Sequence, residues 1–178
     1  MFGKCLGVIA VLLLTASALA AADSKPIVSA YSLATKPILD GSITGDPAWT
    51  EVKPASGFTQ VRPTAGAAAT EGTQGYIGVT EDTLYIGVIC LDDEPDKLII
   101  SDARRDADLG EVDSFLVIID AFQDRQNGVI FGTTPGGLEY DAQVIKEGSK
   151  RFGSGGGGFN LNWDVSWQGK GSVHERGW

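Results

Sequence analysis

Between residues 74 and 168 the chain passes through a series of short apolar segments, each stopped within a few residues by a turn. Residues 74–79 and 83–91 are separated only by Thr80-Glu81-Asp82, a spacing that predicts a hairpin. Residues 83–91 are apolar in both alternating sets, with Leu84, Ile86, Val88 and Cys90 in one and Tyr85, Ile89 and Leu91 in the other. Successive side chains of a strand point to opposite faces, so a strand apolar on both is predicted to lie inside a sandwich, covered on each side. Residues 114–119 have the same two-sided character. Residues 128–133 and 140–145 follow, with a polar turn over 122–127 and a tight turn at Pro135-Gly136-Gly137. Short strands, closely spaced turns and little helical periodicity predict an all-β chain, an antiparallel β-sandwich.

Three further segments extend this pattern. Residues 162–168 alternate cleanly, Trp163, Val165 and Trp167 against Asp164, Ser166 and Gln168, and predict another strand. Residues 58–61 predict a short one. Asp46-Pro47-Ala48-Trp49 predicts about one helical turn, with Asp46 as N-cap and Pro47 in the first helical position, and Trp49 packing down on a sheet. The loop from Lys146 to Asn162 contains a glycine-rich tract at 153–158. It satisfies Gly-x-Gly-x-x-Gly, but any polyglycine does. A dinucleotide site needs a strand before that motif and a helix after it, and neither is predicted here.

The N-terminus carries a different signal. Lys4, an apolar run over 5–14 and small residues at 18–22 predict a secretory signal peptide over residues 1–22. The run is too short for a membrane span, which takes about 20 residues. Cys5 precedes it, where a lipoprotein cysteine would follow. The expected location is therefore exported: periplasm, outer membrane or extracellular. Residues 23–36 are expected to be a linker or a loose first strand, and 37–178 a single domain, in a mature chain of about 156 residues. Cleavage leaves Cys90 alone, so no internal disulfide can form, and its apolar strand predicts a buried, inert thiol.

The net charge is −9. Phosphate backbones repel such a chain, which argues against nucleic acid and anionic membranes as partners. Nucleophilic triads need a histidine to carry the proton, and His174 is the only one, four residues from the end. Glycoside hydrolysis needs two carboxyl groups roughly 5–9.5 Å apart across a cleft. Glu111, Asp113, Asp120, Glu139 and Asp141 can supply carboxyls, as can any acidic surface, so the chain is expected not to be an enzyme. Calcium suits the acidic loops better. It gathers about six to eight oxygens, often from loops, and Asp92, Asp93, Asp106, Asp108, Glu111 and Asp113 are the candidate ligands for a structural Ca²⁺.

Asp40-Gly-Ser-Ile-Thr-Gly-Asp-Pro-Ala-Trp49, the hairpin at 74–91 and Glu111-Val-Asp-Ser-Phe-Leu-Val-Ile-Ile-Asp120 together resemble carbohydrate-binding module family 9 over about residues 37–178. The resemblance implies a β-sandwich of that family, non-catalytic binding of a polysaccharide or oligosaccharide, association with carbohydrate catabolism and structural calcium. Sugar-binding members clamp a ring between two tryptophans. Those positions correspond to Gly110 (or Leu109) and to a point beyond Trp178, so neither half of the clamp is present. Trp163 and Trp167 are the substitute ligand-binding candidates. They are about 13 Å apart on an ideal strand, which makes an open platform rather than a clamp. Val173-His174-Glu175-Arg176-Gly177-Trp178 is similar to the start of a hairpin whose next strand is expected beyond the sequence, so the module is expected to be truncated at its C-terminus. Arg105-Asp106 and Asn162-Trp163-Asp164-Val165 are more similar to modules that precede outer-membrane β-barrels. That makes a periplasmic or surface domain continuing covalently into a membrane β-barrel the alternative, and a fragment of a secreted glycoside hydrolase the second alternative.

Overall fold

The computed structural model describes residues 26–100, 104–146 and 158–178. The proposed signal peptide and the glycine tract up to Gly157 lie outside these residues. The described chain is almost entirely strand and loop, arranged as two sheets. The first sheet has the order β1-β2-β3, with β1 at Tyr31–Ser32, β2 at Thr73–Val79 and β3 at Leu84–Cys90. β2 and β3 form the predicted hairpin, closed by Thr80 N–H donating to the Thr83 carbonyl at 2.9 Å. β1 joins β2 in parallel, so the sheets are mostly rather than wholly antiparallel.

The second sheet runs β4-β5-β6-β7, all antiparallel: Phe115–Ile119, Gly128–Thr133, Tyr140–Val144 and Phe159–Asn160. The turn between β4 and β5 is held by acceptors at its corners. Asp120 accepts from the Asp124 and Arg125 N–H groups, and Asp124 accepts from Gln126 and Asn127. Short polar side chains that bond their own backbone end a strand efficiently.

Each sheet buries one face under a loop. On the first, Leu33, Trp49 and Val52 form the buried cluster, with Tyr31, Ile43, Tyr76 and Tyr85 against it. Asp46 caps the 3₁₀ turn Pro47–Trp49 as expected, its side chain accepting from Ala48 N–H at 2.9 Å. Trp49 then lies on the sheet, edge-on to Tyr76 with ring centroids 6.0 Å apart. Gly78 and Gly87 make this approach feasible. A Cβ at Gly78 would stand 2.6 Å from Leu33 Cδ1, and one at Gly87 2.7 Å from Ile43 Cδ1. On the second sheet, Ile130, Tyr140, Ala142 and Val144 are closed over by Leu109 and Leu138.

The structure departs from the sequence expectations at three places. Residues 162–168 keep their predicted alternation, with Trp163, Val165 and Trp167 half-buried and Asp164, Ser166 and Gln168 exposed, but they form no ladder. Carboxylates hold the segment instead, Val165 N–H donating to Asp141 and, just past it, Gly169 N–H to Glu139. Phe159–Asn160, expected as loop, is strand β7, because Asn160 and Phe159 pair with Gln143 and Val144 at the end of β6. Residues 58–61 are not a strand; a single bridge, Thr59 with Ala68, marks that place.

Cys90 is half-buried rather than buried. Burial, with the charge of Asp113 adding to it, pushes its thiol up to about 11. Only the thiolate reacts. Native protein at pH 8 is therefore expected to alkylate at Cys90 far more slowly than urea-unfolded protein, as read by mass spectrometry.

Candidate functional site

β4 and β5 present Phe115, Val117, Ile119, Phe131 and Thr133 on the face opposite the Ile130 core, since Phe115 pairs with Thr133 and Val117 with Phe131. Together with Leu84 and Ile86 of β3 they line a cleft of about 750 Å³ between the two sheets. Leu39 and Trp167 add to the apolar wall, and Lys36, Asp82, Thr83, Ser166 and Gln168 supply its polar groups. The volume falls in the range of small-molecule sites.

Trp163 and Trp167, the two candidate sugar platforms, both face Phe131. Their ring centroids lie 6.3 and 5.2 Å from its ring, at interplanar angles of 63° and 66°. Edge-to-face contacts of this kind are favourable packing. The three rings form one cluster rather than an open shelf, and only Trp167 also borders the cleft. Two polar atoms there are buried without a hydrogen-bond partner among the described residues: Trp167 Nε1 and Thr133 Oγ1. Buried polar groups in folded proteins are nearly always paired, so each such atom calls for an explanation.

Arg105 holds the aromatic segment in place. Its Nη2 donates to Asp141 Oδ1 at 2.7 Å, to Asp164 Oδ1 at 2.6 Å and to the Val165 carbonyl at 3.0 Å. Nη1 reaches Glu139 at 3.3 Å, and Nε lies 3.7 Å from Asp106. Asp141 is wholly buried. Desolvation opposes the arginine charge, but the Asp141 hydrogen bond and the charges of Asp141, Asp164 and Asp106 outweigh it and raise its pKa. Glu139 and Asp141 alternate on one strand side, and that spacing lets both reach the 164–169 segment. Their alternation was visible in the sequence; their partners were not.

The six candidate calcium ligands are not brought together as one set. Asp92 accepts from Glu94 N–H, Asp108 from Gly110 N–H, Asp106 from Asp141 N–H and Asp113 from Ile99 N–H. Asp93 and Glu111 are exposed. Asp92 and Asp108 shape their own turns, while Asp106 and Asp113 tie their loop to β6 and to the 99–100 segment; among the described residues no group of three or more His, Cys, Asp or Glu side chains is placed to hold a metal. Leu109 belongs to the second sheet's core and Gly110 to a turn beside it. His174 is exposed, its Nδ1 accepting from Arg176 N–H at 3.2 Å.

Comparison of the chain with protein-family models, with curated proteins and with solved structures finds no match.

Proposed function

We propose that this is an exported, non-catalytic carbohydrate-binding module with a sandwich like that of carbohydrate-binding module family 9, and that its sugar enters the cleft between β3 and β4–β5. The observation that carries this reading is the cleft lining. Phe115, Phe131 and Trp167 offer aromatic surface for the C–H face of a pyranose. Lys36, Asp82, Thr83, Ser166 and Gln168 on the cleft wall supply groups for bonds with sugar hydroxyls. The binding is of the one-sided kind, because no second tryptophan closes over the ring.

Titration against xylose, glucose, cellobiose and xylan, followed by calorimetry and by the shifts of the tryptophan indole N–H signals, tests it. The expected result is weak, millimolar binding that moves the Trp167 indole signal more than that of Trp163. Trp167→Ala is expected to abolish the binding while β2–β3 hairpin signals stay in place. No response of any cleft residue at high millimolar sugar would overturn the reading.

A second reading is a domain preceding an outer-membrane β-barrel. The two short motifs that resemble such proteins, Arg105-Asp106 and Asn162-Trp163-Asp164-Val165, are 59 residues apart at Arg105 and Asp164 and yet joined directly at 2.6 Å. Alternating strands with aromatic girdles encoded downstream of Trp178 would support the barrel. An acid/base-bearing catalytic domain there would support a secreted glycoside hydrolase.

A further inference from the structure

A single sugar ring uses one end of the cleft. Phe115, Thr133, Trp167 and Gln168 border both the cleft and a smaller recess of about 140 Å³ behind it, so they mark its inner end. Ring surface is available there, with Ser166 and Gln168 next to Trp167 to meet hydroxyls. Leu84, Val117 and Ile119 border the cleft but not the recess, and so form its outer part. Lys36, Asp82 and Thr83 stand at that outer end, beside Leu84.

Between the two ends the side chains are aliphatic. Val117 and Ile119 continue the row that Phe115 begins on β4, a row about 13 Å long at the usual rise of a strand. Leu84 and Ile86, also two residues apart, line the β3 side, and Leu39 adds to them. Sugar hydroxyls laid along this stretch would give up water without gaining a side-chain partner, which is unfavourable. An apolar chain laid there is stabilised by burial. Leu39 and Leu84 are each 47% exposed, and Val117 and Ile119 only half-buried, so all have surface left to cover. The outer end is polar without being charged overall. Lys36 lies 3.7 Å from Asp82 and the two cancel, while the whole chain stands at −9. Neither attracts a carboxylate or a phosphate, which favours a ligand with an uncharged head.

We infer that the ligand of this cleft is an amphiphile, an uncharged sugar stacked at the Trp167 end and bearing an alkyl chain that runs along Val117 and Ile119 towards Lys36 and Asp82. The inference rests on the sugar reading above and supplies the other half of the ligand. The volume agrees with it. At about 750 Å³ the cleft lies in the upper part of the roughly 300–1,000 Å³ range of sites that enclose drug-sized ligands. Burial of the chain supplies most of the affinity, and the polar groups beside Trp167 fix which way round the ligand lies.

Titration with methyl, butyl, hexyl and octyl β-glucosides, each below its micelle-forming concentration, tests the inference. Every added methylene is expected to tighten binding roughly two- to fourfold, the range from half to full burial. The hexyl and octyl compounds are expected to shift the Val117 and Ile119 methyl signals, which the methyl compound leaves in place. Val117→Asn and Leu84→Asn, each checked for intact β2–β3 hairpin signals, are expected to flatten the dependence on chain length. Hexyl glucoside bound no tighter than methyl glucoside would overturn the inference and leave the sugar reading standing. A gain with chain length but no shift at Val117 and Ile119 would overturn it too, because the chain then binds elsewhere. Hexanol bound as tightly as hexyl glucoside would overturn the sugar reading, and the inference that depends on it.

Discussion

Asp141→Ala is expected to lower the free energy of unfolding by about 3 kcal/mol, measured as a shift of the urea midpoint at unchanged slope. Asp141 is fully buried, and its two oxygens are used on Arg105 Nη2 and on Val165 N–H. Hydrogen bonds to a charged group are each worth about 1.5–3 kcal/mol. The alanine loses both, and it leaves the Val165 N–H and the guanidinium to find water instead. The effect has a local signature as well. The segment carrying Trp163 and Trp167 forms no backbone ladder of its own and is held through Asp141, Glu139 and Arg105. The near-ultraviolet circular dichroism of the Phe131–Trp163–Trp167 cluster is therefore expected to weaken before the sheets unfold. A variant that loses stability but keeps that signal would show that the segment is held by ring packing alone.

Trp49→Ala is expected to cost about 3–5 kcal/mol, the range for deleting a large buried aromatic. Trp49 is 7% exposed and sits with Leu33 and Val52 over the β2–β3 hairpin. It fits there because the sheet has no side chain at Gly87, whose Cβ would lie 3.4 Å from Trp49 Cζ2. Collapse cannot fill the space, because Tyr76 and Leu33 are fixed by the sheet and by β1. Urea unfolding checks the size of the loss. Phe122→Ala, which removes a ring that is 81% exposed, is the comparison and should be nearly neutral.

The strand-forming core was legible in the sequence to within a residue or so. The β2–β3 hairpin, β4, β5, β6 and the capped turn at Asp46 all stand where their patterns put them. In each case the signal is local: an apolar run short enough for a strand, a turn residue that stops it, or a carboxylate placed to accept from the first free N–H groups of a helix. The two-sided apolar character of residues 83–91 and 114–119 also indicated cover on both faces. One face of β3 received it from Trp49, Ile43 and Leu33. The other borders the cleft, where Ile86 remains only half-buried.

What remained hidden depends on partners distant in sequence. Alternation at residues 162–168 reports which side chains turn inward, and it did so correctly. It says nothing about whether another backbone lies alongside, and here Glu139, Asp141 and Arg105 take that place. Phe159–Asn160 carries too few residues to show a period, and became a strand only because the end of β6 was open to it. The acidic residues in the loops had the composition of a metal site, but composition does not fix where oxygens converge. Folding directed Asp92 and Asp108 to their own turns, Asp106 and Asp113 to distant backbone N–H groups, and left Asp93 and Glu111 exposed. The cleft exists because two sheets meet across it, and no run of sequence encodes a distance between sheets. Local stereochemistry thus determined the elements from the sequence alone. Side-chain pairing across long separations, which only the folded chain can establish, determined the site.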